Sequence, residues 1–142
     1  MTRAFLDTDI LSEILRKRNE RVDQAAKRYL DSFDHYTLSV MSVAEVIHGL
    51  SRIRNDKGRD HFLNFIGIHE VLCVGIDESI LAGEIIAELE LVGLPIGHID
   101  PFIAAIALTH RIPLVTGNTR HFQRVKDLGY PLELQNWRLP NG

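Results

Sequence analysis

Ala4-Phe5-Leu6-Asp7-Thr8-Asp9-Ile10-Leu11-Ser12 is the stretch on which the fold turns. Three apolar residues run straight into an aspartate, and Ile10, Leu11, Ile14 and Leu15 then recur at helical spacing. The pattern predicts a short buried strand, an acidic junction and an amphipathic helix. The same succession recurs downstream. Tyr36 to Val40 is a run of β-type residues, and Ser42 with Glu45 forms an S-x-x-E capping box opening a helix through Val46, Ile47 and Leu50. Val71 to Val74 and Pro113 to Thr116 are further strands, and Leu132-Glu133-Leu134 is a fifth, at an edge.

Helical patterns fill the intervals. A charged amphipathic stretch runs to Leu30, and Asn55-Asp56-Lys57-Gly58 is a turn before a helix carrying Phe62, Leu63, Phe65 and Ile66. A long helix from Asp77 to Val92 places Leu81, Ile85, Leu89 and Val92 on one face, and Gly93-Leu94-Pro95-Ile96-Gly97 ends it. Asp100 as cap and Pro101 at the first helical position then open the most apolar helix, Phe102 to Leu108. Strands alternating with helices predict an α/β fold: one domain over residues 1–142, with a mostly parallel sheet of four to five strands covered on both faces.

Composition narrows the chemistry. At 142 residues, with 45% hydrophobic and 25% charged residues, the chain can bury a core without staples. No stretch is long and apolar enough for a membrane span, and the N-terminus carries one positive charge before Asp7, so a cytoplasmic location is expected. Cys73 is the sole cysteine and reads as a buried, inert thiol in a strand. The seven histidines form no His-x-x-x-His pair or Cys/His cluster, which argues against zinc. A formal charge of -3 excludes a uniformly basic nucleic-acid coat, but basic runs at Arg16-Lys17-Arg18, Lys27-Arg28, Arg52 to Arg59 and Arg120 to Lys126 permit an acidic pit with a basic rim.

The acids fall at the strand-to-helix junctions. Asp7 ends the first strand, Glu45 lies in the first turn after the second, Asp100 opens the central helix, and Asn118 follows the fourth strand. In an open parallel sheet such positions share the crevice at the carboxyl ends of the strands. Crowded carboxylates repel unless a cation compensates them, so the pattern suits Mg²⁺ or Mn²⁺. Such an ion can activate water against a phosphodiester. Each residue also has a plainer reading: Asp7, Asp9, Asp100 and Asn118 as helix caps, Glu45 as the capping-box glutamate.

Beyond this point the sequence resembles a known family. Phe5 to Ser12, Ser42-Val43-Ala44-Glu45-Val46 with Gly49, and Asp100-Pro101-Phe102-Ile103-Ala104-Ala105 resemble the three acidic motifs of PIN-domain proteins. Thr116-Gly117-Asn118-Thr119-Arg120-His121-Phe122, with Val125 and Asn136-Trp137, is similar to the fourth motif and C-terminus of the VapC/FitB-type branch. The resemblance implies a Rossmann-like PIN fold and a Mg²⁺/Mn²⁺-dependent endoribonuclease that serves as the toxin of a type II toxin–antitoxin pair. It implies a cognate antitoxin that inhibits the toxin, a complex of the two on operator DNA, and a homodimer. By motif, Asp7 and Asp100 would be the main metal ligands, Glu45 would complete the site, Asn118 would fill the fourth position, and Thr116 would orient a carboxylate or the water. Transfer RNA is a common target of such toxins.

Two departures from the pattern matter. Asp9 stands where many relatives have asparagine, and His121 where an acid is often found, which leaves ligands for one firmly held ion. A haloacid-dehalogenase-like phosphotransferase is a rival, since Asp7-Thr8-Asp9 mimics its D-x-D, with Asp7 as covalent nucleophile. It would need a later lysine and paired acids, where Thr116-Gly117-Asn118 stands instead. A PIN-like binding module without catalysis is the non-enzymatic rival. Ile10, Ile14 and Leu15 could line an apolar groove for an antitoxin segment or could simply be core.

Overall fold

A computed structural model describes residues 2–140. Its elements run β1 (Phe5–Leu6), α1 (Thr8–Arg16), α2 (Glu20–Phe33), β2 (Thr37–Ser39), α3 (Val40–Arg52), α4 (Asp56–Ile66), β3 (Glu70–Leu72), α5 (Ile76–Leu91), α6 (Ile99–His110), β4 (Leu114–Val115), α7 (Thr119–Asp127) and β5 (Leu134–Gln135). The five strands form one sheet in the order β3-β2-β1-β4-β5, and every pairing is parallel. Fold class and both-face covering thus agree with the sequence reading.

The order explains the covering. From β1 the chain steps outward through β2 to β3, then crosses back to β4 and steps outward the other way to β5. Right-handed crossovers in opposite directions put their helices on opposite faces. Phe5 and Leu114 accordingly point into a core with Ile85, Leu89, Ile103 and Phe122, under α5, α6 and α7. Their neighbours Leu6 and Val115 point the other way, into a core with Ile10, Val22, Tyr29 and Trp137. Leu11, Leu38 and Phe62 form a third cluster between α1, β2 and α4. Both central strands are fully buried on both sides, which is why they read as unbroken apolar runs.

Several boundaries differ from expectation. The helix after β2 begins at Val40, because the Ser39 hydroxyl caps it by accepting from Ser42 N at 3.3 Å. Ser42 is therefore inside the helix and fully buried, and Glu45 lies in its second turn rather than in a capping box. Asn55 to Gly58 is a helix start, with Asn55 Oδ1 accepting from Gly58 N at 2.8 Å. The chain turns just before it, where Arg54 takes φ 54°. The apolar helix α6 begins at Ile99, not after Asp100. Pro101 is tolerated there because a first-turn N–H has no intrahelical partner to lose. Cys73 is exposed rather than buried: it follows β3, an edge strand with no neighbour to cover it.

No helix among the described residues is long and apolar enough to cross a membrane.

Candidate functional site

The chain leaves β1 toward one edge of the sheet and leaves β4 toward the other, so a crevice opens between the carboxyl ends of these adjacent strands. Asp7 ends β1 in that crevice, and Thr116 ends β4. Asp7 is 6% exposed, and its Oδ1 accepts from Thr8 N at 2.8 Å as the cap of α1. Its Oδ2 accepts from the Thr116 hydroxyl at 2.8 Å. These bonds favour the carboxylate, yet burial, then Asp9, and more weakly Asp100 push its pKa up to about 7. Removal from water and two neighbouring acids outweigh the two donors.

Asp100 approaches from α6. Its Oδ2 accepts from Asn118 Nδ2 at 3.3 Å and lies 3.1 Å from His121 Nδ1, while Asn118 Nδ2 and His121 Nδ1 are 2.9 Å apart. Asn118 N donates to the Thr116 hydroxyl at 2.9 Å, which joins the Asp7 and Asp100 halves through one short turn. Asn118 precedes α7 but makes no capping bond with its side chain, and Asp100 makes none either. Both side chains are turned to each other instead. The plain cap reading holds only for Asp7.

Glu45 is exposed on α3, and its Oε1 accepts from the Thr8 hydroxyl at 2.8 Å. The same hydroxyl lies 2.8 Å from Ser42 Oγ. Thr8 thus ties the Glu45 side to the residue next to Asp7. Hydrogen bonds join four of the five expected residues, Asp7, Thr116, Asn118 and Asp100, in one network, and Glu45 meets it only through Thr8. From sequence, Ser42 is a helix cap and Thr8 part of the first acidic motif, and neither is assigned a role in the site.

Asp9 is drawn aside. Its Oδ1 accepts from Ile10 N at 2.7 Å, its Oδ2 from Gly117 N at 2.8 Å, and Arg138 Nη2 lies 3.4 Å from Oδ2. Burial still raises its pKa, against the pull of the Gly117 N–H and of Arg138.

The donor chemistry suits a hard cation: carboxylate and amide oxygens, one carboxylate strongly discouraged from ionising until positive charge arrives. Among the described residues no three acidic, histidine or cysteine side chains close around a point as a ready cage.

A cleft of about 630 Å³ opens beside Glu45 and Thr8, between α1, α3 and α4, with Arg16, Arg18, Asn55 and His61 on its walls. Acidic pit and basic rim therefore adjoin. Leu15 lines this cleft, but Ile10 is fully buried and Ile14 packs on the core, so of the three residues expected in an apolar groove only Leu15 remains, beside Val46, Leu50, Ile53 and Phe62.

The PIN domain family model matches residues 4–128. Ribonuclease VapC1 of Methanocaldococcus jannaschii is 30% identical over 120 residues, covering 83% of this chain and 85% of the relative. Ribonuclease VapC1 of Rickettsia felis is 32% identical over 128 residues, covering 87% and 91%. The tRNA(fMet)-specific endonuclease VapC of Salmonella typhimurium is 25% identical, covering 96% and 99%. In solved structures, DNA-bound VapBC from Salmonella typhimurium superposes with a TM-score of 0.80 at 26% identity, covering 96% of this chain and 99% of that one. VapBC-1 from nontypeable Haemophilus influenzae does so with a TM-score of 0.81 at 25% identity, covering 97% and 100%. This likeness leaves no place for a haloacid-dehalogenase-like phosphotransferase. With fold, junction acids and relatives in agreement, the chain belongs to the PIN-domain family, in its VapC ribonuclease branch.

Proposed function

We propose that this ribonuclease is a Mg²⁺- or Mn²⁺-dependent endonuclease of RNA, and the toxin of a type II toxin–antitoxin pair. The observation that carries the reading is the Thr116–Asn118 turn, which bonds Asp7 with one residue and Asp100 with another. Asp7, Asp100 and Glu45 would hold the ion, with Asn118 beside them. When bound, the ion neutralises the attacked phosphodiester and activates the water that cleaves it.

The protein's own contribution is placement. Thr8 N and Thr116 fix both oxygens of Asp7, so the carboxylate cannot rotate away when RNA enters. Thr8 aims Glu45 through its hydroxyl. Asn118 and His121 both approach Asp100 at the same oxygen, Oδ2. Arg16 and Arg18 line the cleft beside Glu45 and would take backbone phosphates as the strand runs past the acids. Transfer RNA is the favoured substrate class, supported by the tRNA(fMet)-specific relative.

A single PIN domain of residues 1–142, acting in the cytoplasm as a homodimer, fits this reading. So does a cognate antitoxin that blocks the cleft and carries the complex to operator DNA. The similar VapBC structures, one of them bound to DNA, support that part.

The test is direct. Purified protein is incubated with bulk transfer RNA and Mg²⁺ or Mn²⁺; cleavage that EDTA, Asp7→Asn and Asp100→Ala each abolish supports the reading. Full cleavage by Asp7→Asn, or cleavage unaffected by EDTA, refutes it.

A further inference from the structure

Arg138 lies beyond the last strand, in a segment with no part in the acidic motifs. It nevertheless reaches α1. Its Nε and Nη2 each lie 2.8 Å from Glu13 Oε1, and its Nη2 lies 3.4 Å from Asp9 Oδ2. Its guanidinium also lies close against Gly117: a Cβ there would overlap it and come within 2.7 Å of Asp9 Oδ2. Three neighbours hold the segment in register. Asn136 Oδ1 accepts from Arg138 N at 3.1 Å, Arg21 Nη1 donates to Arg138 O at 3.5 Å, and Trp137 is buried against Tyr29 with rings 5.5 Å apart.

Gly117 is the middle residue of the turn whose ends touch Asp7 and Asp100. Asp9 is two residues from Asp7 and would otherwise add a fourth carboxylate to the crevice. Without a cation beside it, a half-buried Asp9 and Glu13 would face each other on consecutive turns of α1 as like charges. The guanidinium fork compensates both and closes the turn from outside.

We propose that Arg138 is a positioning residue for the nuclease site, holding Asp9 out of the metal-binding set and bracing the 116–118 turn that aligns Asp7 with Asp100. The proposal rests on the metal-dependent reading above. Its first readout is metal affinity, which needs no RNA. Removing Arg138 leaves the Asp9 charge uncompensated beside Asp7, on which it already acts, a step that would be worth about tenfold in metal affinity at the dielectric of a half-buried site. The same change loosens the turn, so affinity and rate move in opposite directions. A residue that merely supported folding would lower both.

The experiment is a double-mutant cycle on the full chain. Mn²⁺ affinity is read by calorimetry and cleavage of bulk transfer RNA by its kcat and KM. Arg138→Gln should bind Mn²⁺ about tenfold more tightly while kcat falls about tenfold at little change in KM. In an Asp9→Asn background, where the amide oxygen still accepts from Gly117 N and the charge is gone, Arg138→Gln should change Mn²⁺ affinity by less than about twofold. Arg138→Lys keeps the charge without the fork, and should hold Mn²⁺ affinity while losing part of kcat. Arg138→Met, uncharged and of similar length, takes the place of the glutamine variant with the same expected results if that one fails to fold. Weaker or unchanged Mn²⁺ binding in Arg138→Gln, or an equal effect in both backgrounds, overturns the proposal. If no variant and no wild type cleaves RNA, the function is misassigned while the affinity cycle still decides the role of Arg138.

Discussion

The Thr116 hydroxyl donates to Asp7 Oδ2 at 2.8 Å and accepts from Asn118 N at 2.9 Å, so one buried oxygen links the end of β1 to the turn after β4. Thr116→Val keeps the shape and deletes both bonds. Asp7 then loses a donor that favours its charged form, and the Asn118 N–H loses its acceptor. Stability should fall by about 1–3 kcal/mol, and metal affinity should fall with it. Thermal melts with and without Mg²⁺ measure both, and a metal-independent loss would show that the bond serves only the fold.

The raised pKa of Asp7 sets a pH dependence. Its value in the unfolded chain is the ordinary 3.8 and in the fold about 7. The folded state therefore favours the protonated acid. Its relative stability is fully present below pH 3.8 and is lost progressively as pH rises through 7. The displacement corresponds to about 4 kcal/mol at the most. About two thirds of that loss falls between pH 5 and pH 8, so metal-free protein should lose roughly 5–10 °C of Tm over that range in comparison with Asp7→Asn, on the order of 2–4 °C per kcal/mol. Mg²⁺ should erase the difference. Parallel Tm profiles for wild type and Asp7→Asn in EDTA would refute the shift.

Thr8 is the hydroxyl that aims Glu45, at 2.8 Å. Thr8→Val should lower kcat about tenfold through a wandering glutamate, while Thr8→Ser should retain most of the rate. Steady-state kinetics on the two variants separate the hydroxyl from the methyl group. Equal losses would place the role in packing.

His121 Nδ1 sits 3.1 Å from Asp100 Oδ2, where an acid would enlarge the negative set. Wild type should titrate with one tight Mn²⁺ per chain. His121→Asp should bind the first ion more tightly, by roughly tenfold, and add a second, weaker one. Calorimetric stoichiometry reads this directly; two tight ions in wild type would contradict it.

Much of this was legible in the chain. Phe5-Leu6 and Leu114-Val115 are buried on both faces, so their apolar runs survive without alternation and announce central parallel strands. The acids at their ends follow from that placement. What was hidden has physical reasons. Ser39 and Ser42 lie three residues apart before the same apolar face, and only backbone geometry tells which one caps. Val40 is β-branched and reads as strand, yet it is the first residue of α3. Cys73 looks buried among Val71, Leu72 and Val74 because sequence does not reveal which strand lies at an edge. Arg138 left no trace at all: a side chain reaching α1 from a loop after the last strand depends on tertiary distance alone, with no periodicity to betray it.

The sheet order has a consequence for synthesis. β1 must wait for β4 before it gains its second neighbour, and β4 is made after every acidic motif has already emerged. A growing or truncated chain can therefore carry Asp7, Glu45 and Asp100 without the wall that aligns them. Fragments that stop anywhere upstream of Leu114 lack both β4 and the 116–118 turn, and should be harmless even where they carry all three acids.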